Sequence, residues 1–424
     1  EAHNVPATAL DTASDSLTIG TIRQALREAT MYNDEISKDF SRALAKTILE
    51  VSSDMKQVEE KIIEPRRIVE TAIKQSNLAL ENLVLGHMKE LGTKIRKGLL
   101  KAGKFPRSSI FRVSDFLLRW LRCAEREDYS FLIASSRGYG ESRRVSLDLV
   151  ALDPTVVTGR VLDLVHSSVA ISGTISPLTA YSEMLGFGSD AILKTFQSPF
   201  AQRNRLGLII DGLDTSFQNR SQTTFERMVE HCVAVAHATP SNTGIFTSSY
   251  AVGKSLIDAG LEDRLRRSLF IEKPGMKGVE NDRLIESFKR KGETGGSVLL
   301  GVQGGRNSEG GDFPGSTMES VVVVGVPYAK PTPRTESLIS YYDSRFDKKG
   351  RDYAYVLPAM TRAIQAAGRP VRRLDDRGVI VMLDQRFGTP YLSRYIPSWL
   401  MDVTQVIQND PEVTAHRVES FFMG

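Results

Sequence analysis

Cysteine is nearly absent: Cys123 and Cys232 are the only two among 424 residues. Two thiols cannot build a disulfide framework, so a reducing compartment is expected. Long apolar runs are missing as well, and no stretch reaches the roughly 18 residues that a membrane span needs. The opening residues carry no signal-peptide pattern, so none is expected. Histidine is sparse, at six residues. His231, Cys232 and His237 fall on one predicted helix, but the two histidines are six apart and face different ways, which argues against a metal site. The Gly-x-Ser-x-Gly elbow of a serine hydrolase is not there either. Excess charge of one sign is also lacking. Fifty-five Lys and Arg against 51 Asp and Glu leave a net charge of +4, which is compatible with nucleic acid and does not establish it.

What remains is an ordinary globular composition, 41% hydrophobic and 25% charged, long enough for two or three domains. Residues 5 to about 20 read as loop. From Ile22 to about Arg126 apolar residues recur three and four apart (Ile62, Ile63, Val69, Ile73, Leu78, Leu83, Leu85), the period of helices. Pro65 should start or kink one of them. Gly92, Gly98 and Gly103 punctuate a basic stretch from Lys89 to Arg107, and Phe116, Leu117, Trp120 and Leu121 mark a further amphipathic helix. The period then changes. Tyr129 to Ala134 and Val145 to Leu152 read as strands, with a turn at Arg137-Gly138-Tyr139-Gly140 between them. Val169-Ala170-Ile171 reads as a short buried strand.

Beyond Phe187 strands and helices alternate. The strands are Leu206 to Ile210, Gly244 to Thr247, Ser297 to Val302, Val321 to Val326 and Val379 to Leu383; the helices include Phe225 to His237 and Lys254 to Leu261. Such alternation implies a parallel sheet with helices on both faces.

Several glycine-containing stretches are candidate phosphate-binding loops. Gly98 to Lys104 fits the opening of a Walker A pattern, but Phe105 stands where Ser or Thr must bind magnesium, and the context is helical. Gly253-Lys254-Ser255 follows a strand and opens a helix, where backbone amides can face an anion; Ser248 replaces the first glycine. The Gly304 to Gly315 loop follows a buried strand, in the place where open α/β sheets bind ligands. Its glycines permit close backbone approach, and it carries Arg306, Glu309 and Asp312 together. Gln365-Ala366-Ala367-Gly368-Arg369-Pro370-Val371-Arg372 lies between a helix-like run, Tyr355 to Ala366, and a strand. Read as helical, it puts Arg369 and Arg372 on one face, both able to grip an anion.

These stretches together resemble the XPD-type superfamily-two DNA helicases, the iron–sulfur helicases of nucleotide excision repair. Glu1-Ala2-His3-Asn4 matches the end of a DEAH box whose Asp lies upstream. Ser172-Gly173-Thr174-Ile175-Ser176-Pro177-Leu178 matches motif III, Gly305 to Pro314 matches motif V, and Gly325-Val326-Pro327-Tyr328 follows it. Gln365 to Arg372 matches motif VI, and Asp384-Gln385-Arg386-Phe387 is the family's usual tail. The matches run in family order over essentially the whole chain.

The resemblance implies RecA-like parallel-sheet motor domains, the first incomplete, with an all-α arch insertion. Residues 1–20 would end a first motor segment carrying the DEAH box tail, 21–128 form the arch, 129–188 return to motor domain one with motif III, and 189–424 form motor domain two. It implies ATP with Mg²⁺; the Walker A loop, the DEAH Asp and the four cysteines of a 4Fe-4S cluster are expected upstream of Glu1, so the chain alone is expected to be inactive. Glu1 would activate the attacking water and stand near Mg²⁺ without ligating it directly. Arg369 and Arg372 would stabilise the transferring phosphoryl, with Gln365, Gly368, Gly310 and Asp312 on the nucleotide. His3, Ser172, Gly173 and Thr174 would couple nucleotide to domain closure. Lys254, Ser255, Arg306 and Arg334 would meet DNA, with basic arch residues such as Lys94, Arg96 and Lys97; Tyr328 and Tyr391 are stacking candidates. The implied activity is 5′ to 3′ translocation on single-stranded and forked DNA, by a monomer with repair partners, away from membranes, in an archaeal nucleoid or a eukaryotic nucleus. The reading from another class is a non-catalytic nucleic-acid-binding or scaffolding module; a P-loop kinase ranks third, since nothing marks a small-substrate pocket.

Overall fold

Two sheets of opposite character organise the chain, and each forms its own unit. The computed structural model describes residues 2–78, 81–137 and 143–424. One unit gathers the chain up to Ala170 with Ser182–Ala191 and Lys330–Arg351; the other gathers Ile171–Tyr181, Ile192–Ala329 and Asp352–Gly424.

The first unit is built on a four-stranded antiparallel sheet in the order β1 (Asp15–Thr18), β4 (Arg143–Ala151), β3 (Tyr129–Arg137), β2 (Glu59–Ile62). Along β3 and β4 side chains alternate between two apolar faces. Phe131, Ile133, Leu147 and Leu149 join the core of the helices Ile19–Met31, Glu35–Val51, Glu81–Lys101 and Ser109–Cys123. Leu132, Val150 and Leu152 meet Leu338 and Tyr341 of the helix Pro333–Arg345. Trp120 anchors the first core. It is fully buried, donates its indole N–H to the Pro65 carbonyl at 2.8 Å, and meets Phe131 edge-on at 4.8 Å. Pro65 opens its helix, with the Glu64 carboxylate accepting from the amides of Arg66 and Arg67.

Several expectations change here. Residues 5–20 are not loop: alanine-rich Val5–Ala13 is a helix and Asp15–Thr18 a strand. The expected arch is not all α, because β2 lies within it. The strands at 129–137 and 143–151 pair antiparallel with each other and with β1 and β2, not in a parallel sheet, since the link between them is too short for a crossover. The turn expected there lies outside the described residues from Gly138 onward. Val169–Ile171 is no strand; Val169 is 83% and Ile171 77% exposed. A buried strand needs neighbours for its backbone groups, and no described strand runs beside this one.

The second unit carries seven parallel strands, ordered β11 (Thr404–Ile407), β5 (Arg205–Ile210), β10 (Gly378–Leu383), β9 (Ser320–Val324), β6 (Thr243–Thr247), β8 (Val298–Val302), β7 (Leu269–Ile271). Their continuous Val, Ile and Leu runs are what burial on both faces demands. Helices Gln222–Ala238, Tyr250–Asp258 and Pro411–Met423 cover one side of this core. All five strands expected from the sequence beyond Phe187 are present, and the short edge strands β7 and β11 add to them.

Candidate functional site

The loops leaving the carboxyl ends of β5, β6, β8, β9 and β10 belong to one unit, and buried polar groups lock them to one another. Gln303, just past β8, donates to the carbonyls of Phe246, Val324 and Gly325 at the ends of β6 and β9. Fully buried Asp384, past β10, accepts from the Thr215 amide and hydroxyl and takes both ends of the Arg386 guanidinium, at 2.7 and 2.8 Å. That pairing holds Arg386 above its ordinary pKa against the opposing pull of burial. Tyr328 stacks on Tyr355 with ring centres 4.9 Å apart, and the Arg386 guanidinium lies 5.9 Å from the Tyr328 ring.

The Gly304–Gly315 loop is fastened at three points. At its start, Glu272 accepts from the Tyr250 hydroxyl (3.0 Å) and from the Asn307 amide (2.8 Å), while Asn307 and Asn281 exchange hydrogen bonds. Burial, then the Glu272 charge, pushes the Tyr250 phenol up to about 12. In its middle, Arg369 donates to the carbonyls of Glu309 (2.7 Å) and Gly311. At its end, Asp376 accepts the Gly315 amide at 3.1 Å, and its other oxygen accepts the amides of Arg372 and Arg373 at 2.8 and 2.7 Å.

This geometry separates the two arginines. The helix Leu357–Ala367 stops at Gly368, so Arg369 and Arg372 do not share a helical face. Arg369 is 6% exposed and spent on backbone carbonyls, including that of Gln365 on the preceding helix. Arg372 is exposed, with its backbone pinned by Asp376 and its guanidinium turned to solvent. A guanidinium on a fixed backbone is suited to receive an anionic oxygen.

The other candidates divide. Gln365 is buried, and its amide reaches the Thr174 hydroxyl at 3.5 Å; Ser172 and Thr174 lie 3.3 Å apart. Gly368 caps the helix, and Gly310, Asp312 and Arg306 lie on the exposed rim of the loop. Lys254 and Ser255 lie inside the helix, whose cap is Ser249, so they are not at its start; Lys254 pairs with Asp258 and Ser255 donates to the Ala251 carbonyl. Arg334 belongs to the first unit, where it is bound by Asp148 at 2.8 Å and Glu60 at 3.3 Å. His3, also in that unit, is buried. Glu1 lies outside the described residues. Tyr391 donates to Asp352 at 2.6 Å beneath Arg394. Buried Cys232 has its thiol pushed up to about 12, and His231 is hydrogen-bonded to Thr414 and Asn409, as expected of core residues. Glu272 and Asp376 were missed. Asp376 is indistinguishable in sequence from neighbouring Asp375; only burial separates them. Among the described residues no group of three or more His, Cys, Asp or Glu is placed to hold a metal ion, and no helix is long and apolar enough to cross a membrane.

Residues 232–403 match the model of the helicase C-terminal domain family. The chain is 26% identical over 264 residues to the general transcription and DNA repair factor IIH helicase subunit XPD/RAD3 of Saccharomyces cerevisiae, covering 59% of this chain and 33% of that protein. It is 24% identical over 293 residues to the ATP-dependent DNA helicase CHL1 of Candida albicans, covering 62% and 34%. It thus spans about a third of the length of these curated relatives. In fold it is similar to the Xpd4 structure of S. tokodaii, with a TM-score of 0.64 at 14% identity over 96% of this chain and 74% of that one. A structure titled XPD helicase matches with a TM-score of 0.60 at 17% identity, over 96% and 67%.

Proposed function

We propose that this chain, which is similar over part of its length to XPD-type helicases, supplies the motif III to motif VI portion of an ATP-dependent DNA helicase. The motor moves 5′ to 3′ on single-stranded DNA and opens forked duplexes during repair, as a monomer that works with other repair proteins, in the nucleus or the nucleoid.

The observation that carries the reading is the contrast between Arg369 and Arg372. A phosphoryl-transfer site needs a cation that is fixed yet unspent, and a supplied arginine of this kind accelerates transfer by about 10³ to 10⁵ where measured. Arg372 meets both conditions: Asp376 fixes its backbone, and among the described residues no carboxylate forms an ion pair with its guanidinium. We assign it the transferring phosphoryl of ATP. Arg369 acts one step back, holding the Glu309 and Gly311 carbonyls so that Gly310 and Asp312 present a defined rim to the nucleotide. Gln365, through Thr174, ties the Ser172-Gly173-Thr174 turn to the same helix, which suits it to report nucleotide state. Glu1 takes the water-activating role.

Mg²⁺ would neutralise phosphate charge, and an iron–sulfur cluster belongs to the family resemblance. Among the described residues no group of three or more His, Cys, Asp or Glu is placed to hold either. DNA contact is made mainly to the sugar–phosphate backbone, tolerant of sequence and weakened by salt.

The test is ATP turnover by a polypeptide containing both this chain and a phosphate loop, with and without single-stranded DNA. Turnover that DNA stimulates supports the helicase reading. DNA binding with no turnover would replace it with the non-catalytic module.

A further inference from the structure

The segment Lys330–Arg351 belongs to the first unit, although the chain enters it from β9 and leaves it toward the helix Leu357–Ala367, both of the second unit. Its helix, Pro333–Arg345, is 13 residues long, about 20 Å. Arg334, Ser337, Leu338, Tyr341 and Arg345 fall within about 100° of arc, on a single face. That face meets the antiparallel sheet along its whole length. Arg334 is held by Asp148 and Glu60. The Ser337 hydroxyl oxygen lies 2.9 Å from that of Ser130 on β3. Leu338 and Tyr341 pack on Leu132, Val150 and Leu152. Tyr341 donates to Asp153 at 2.8 Å, and Arg345 lies 3.5 Å from the same carboxylate.

These contacts fix the helix in register. Polar pairs stand at both ends of an apolar middle, so a slip of one turn, about 5.4 Å, would part Arg334 from Asp148 and Tyr341 from Asp153. Burial, then the bond to Asp153, pushes the Tyr341 phenol up, so it remains a donor. The helix therefore moves with its sheet. Its exits leave little slack. Gly325 to Ala329 alone join β9 to the segment. At the other end Asp352 opens a π-helix, Asp352–Val356, that runs directly into Leu357–Ala367. Such wide turns are rare and frequent at functional sites. Leu357–Ala367 carries Gln365 and leads through Gly368 to Arg369 and Arg372.

We propose that Pro333–Arg345 is a coupling strap: it follows the antiparallel sheet of the first unit and passes displacement of that sheet to the helix Leu357–Ala367, and so to Arg369 and Arg372. The strap sets how strongly DNA stimulates ATP turnover without itself touching DNA or nucleotide. The inference rests on the helicase reading above.

The test loosens the strap and then fastens it again, in the polypeptide joining this chain to a phosphate loop. Leu338→Ala/Tyr341→Phe should leave DNA affinity and DNA-free turnover within about twofold of wild type, while stimulation by single-stranded DNA falls at least about 5-fold. Ser130→Cys/Ser337→Cys then places two thiols where the hydroxyls meet, and Cys123 and Cys232 are buried away from them. Added to the loosened variant and oxidised, this pair should restore stimulation, and a reducing agent should remove it again. In the otherwise wild-type protein the same disulfide should form, read on a non-reducing gel, and leave stimulation intact. Full stimulation in the loosened variant would overturn the proposal, as would a loss that oxidation does not restore. A disulfide that fails to form, or one that abolishes stimulation in the wild-type background, would show that the helix does not stay on its sheet and would overturn it too. In all these cases the helicase reading stands. Absence of turnover in the parent protein would remove that reading, and the strap with it.

Discussion

Arg369 and Arg372 differ by whether the fold has already used their hydrogen-bond donors. Removing Arg369 strands the Glu309 and Gly311 carbonyls and frees the middle of the Gly304–Gly315 loop. Arg369→Ala should therefore cost about 1–3 kcal/mol of stability, read as a lower denaturation midpoint, with turnover lost as a consequence. Arg372→Ala should change stability by less than about 0.5 kcal/mol and still abolish most turnover. An unchanged midpoint in Arg369→Ala would remove its structural role. A second residue-scale expectation concerns pH. Burial holds the His231 imidazole below its ordinary pKa, whereas in the unfolded chain it protonates near 6.5. The unfolded state thus binds the proton first as pH falls. The stability that His231 contributes is fully present above about pH 6.5 and is lost as acidification continues toward the folded-state value. His231→Asn should melt lower at about pH 7.5, yet lose less on going to about pH 5.5 than the wild type; parallel curves would show that another group governs the acid limb.

Helices and strands were legible wherever their period was uninterrupted. The Val-rich strands of the parallel sheet and the Phe116–Trp120 helix were read correctly because burial on one or both faces writes itself into the sequence. Val169–Ile171 was misread for the same reason: three apolar residues look like a buried strand whether or not neighbours are present to pair with it. Close approach is harder to see. Gly92 reads in sequence as punctuation, yet it sits inside a helix where an added Cβ would lie 2.6 Å from the Phe111 amide nitrogen. It lets the Glu81–Lys101 and Ser109–Cys123 helices cross. Gly92→Ala should destabilise the first unit by about 1–3 kcal/mol through overpacking, despite alanine's better helix propensity; a raised midpoint in urea unfolding would contradict this.

For the molecule as a whole, the alternation of apolar strands and helices recovered the parallel architecture and five of its seven strands, but not which residues hold the loops around it. Glu272, Asp376 and Gln303 act through burial and backbone contacts that a linear motif does not encode. Arg334, a DNA candidate by position in the chain, is engaged by Asp148 and Glu60, so Arg334→Ala should leave DNA affinity within about twofold of wild type. A larger loss in an anisotropy titration would return it to the DNA-contact list. The most direct test of the account is DNA-stimulated ATP turnover in a polypeptide joining this chain to a phosphate loop, compared with its Arg372→Ala variant at equal thermal stability. The account predicts turnover that rises with single-stranded DNA and falls by about 10³-fold or more in the variant. Equal turnover in the two proteins would contradict it.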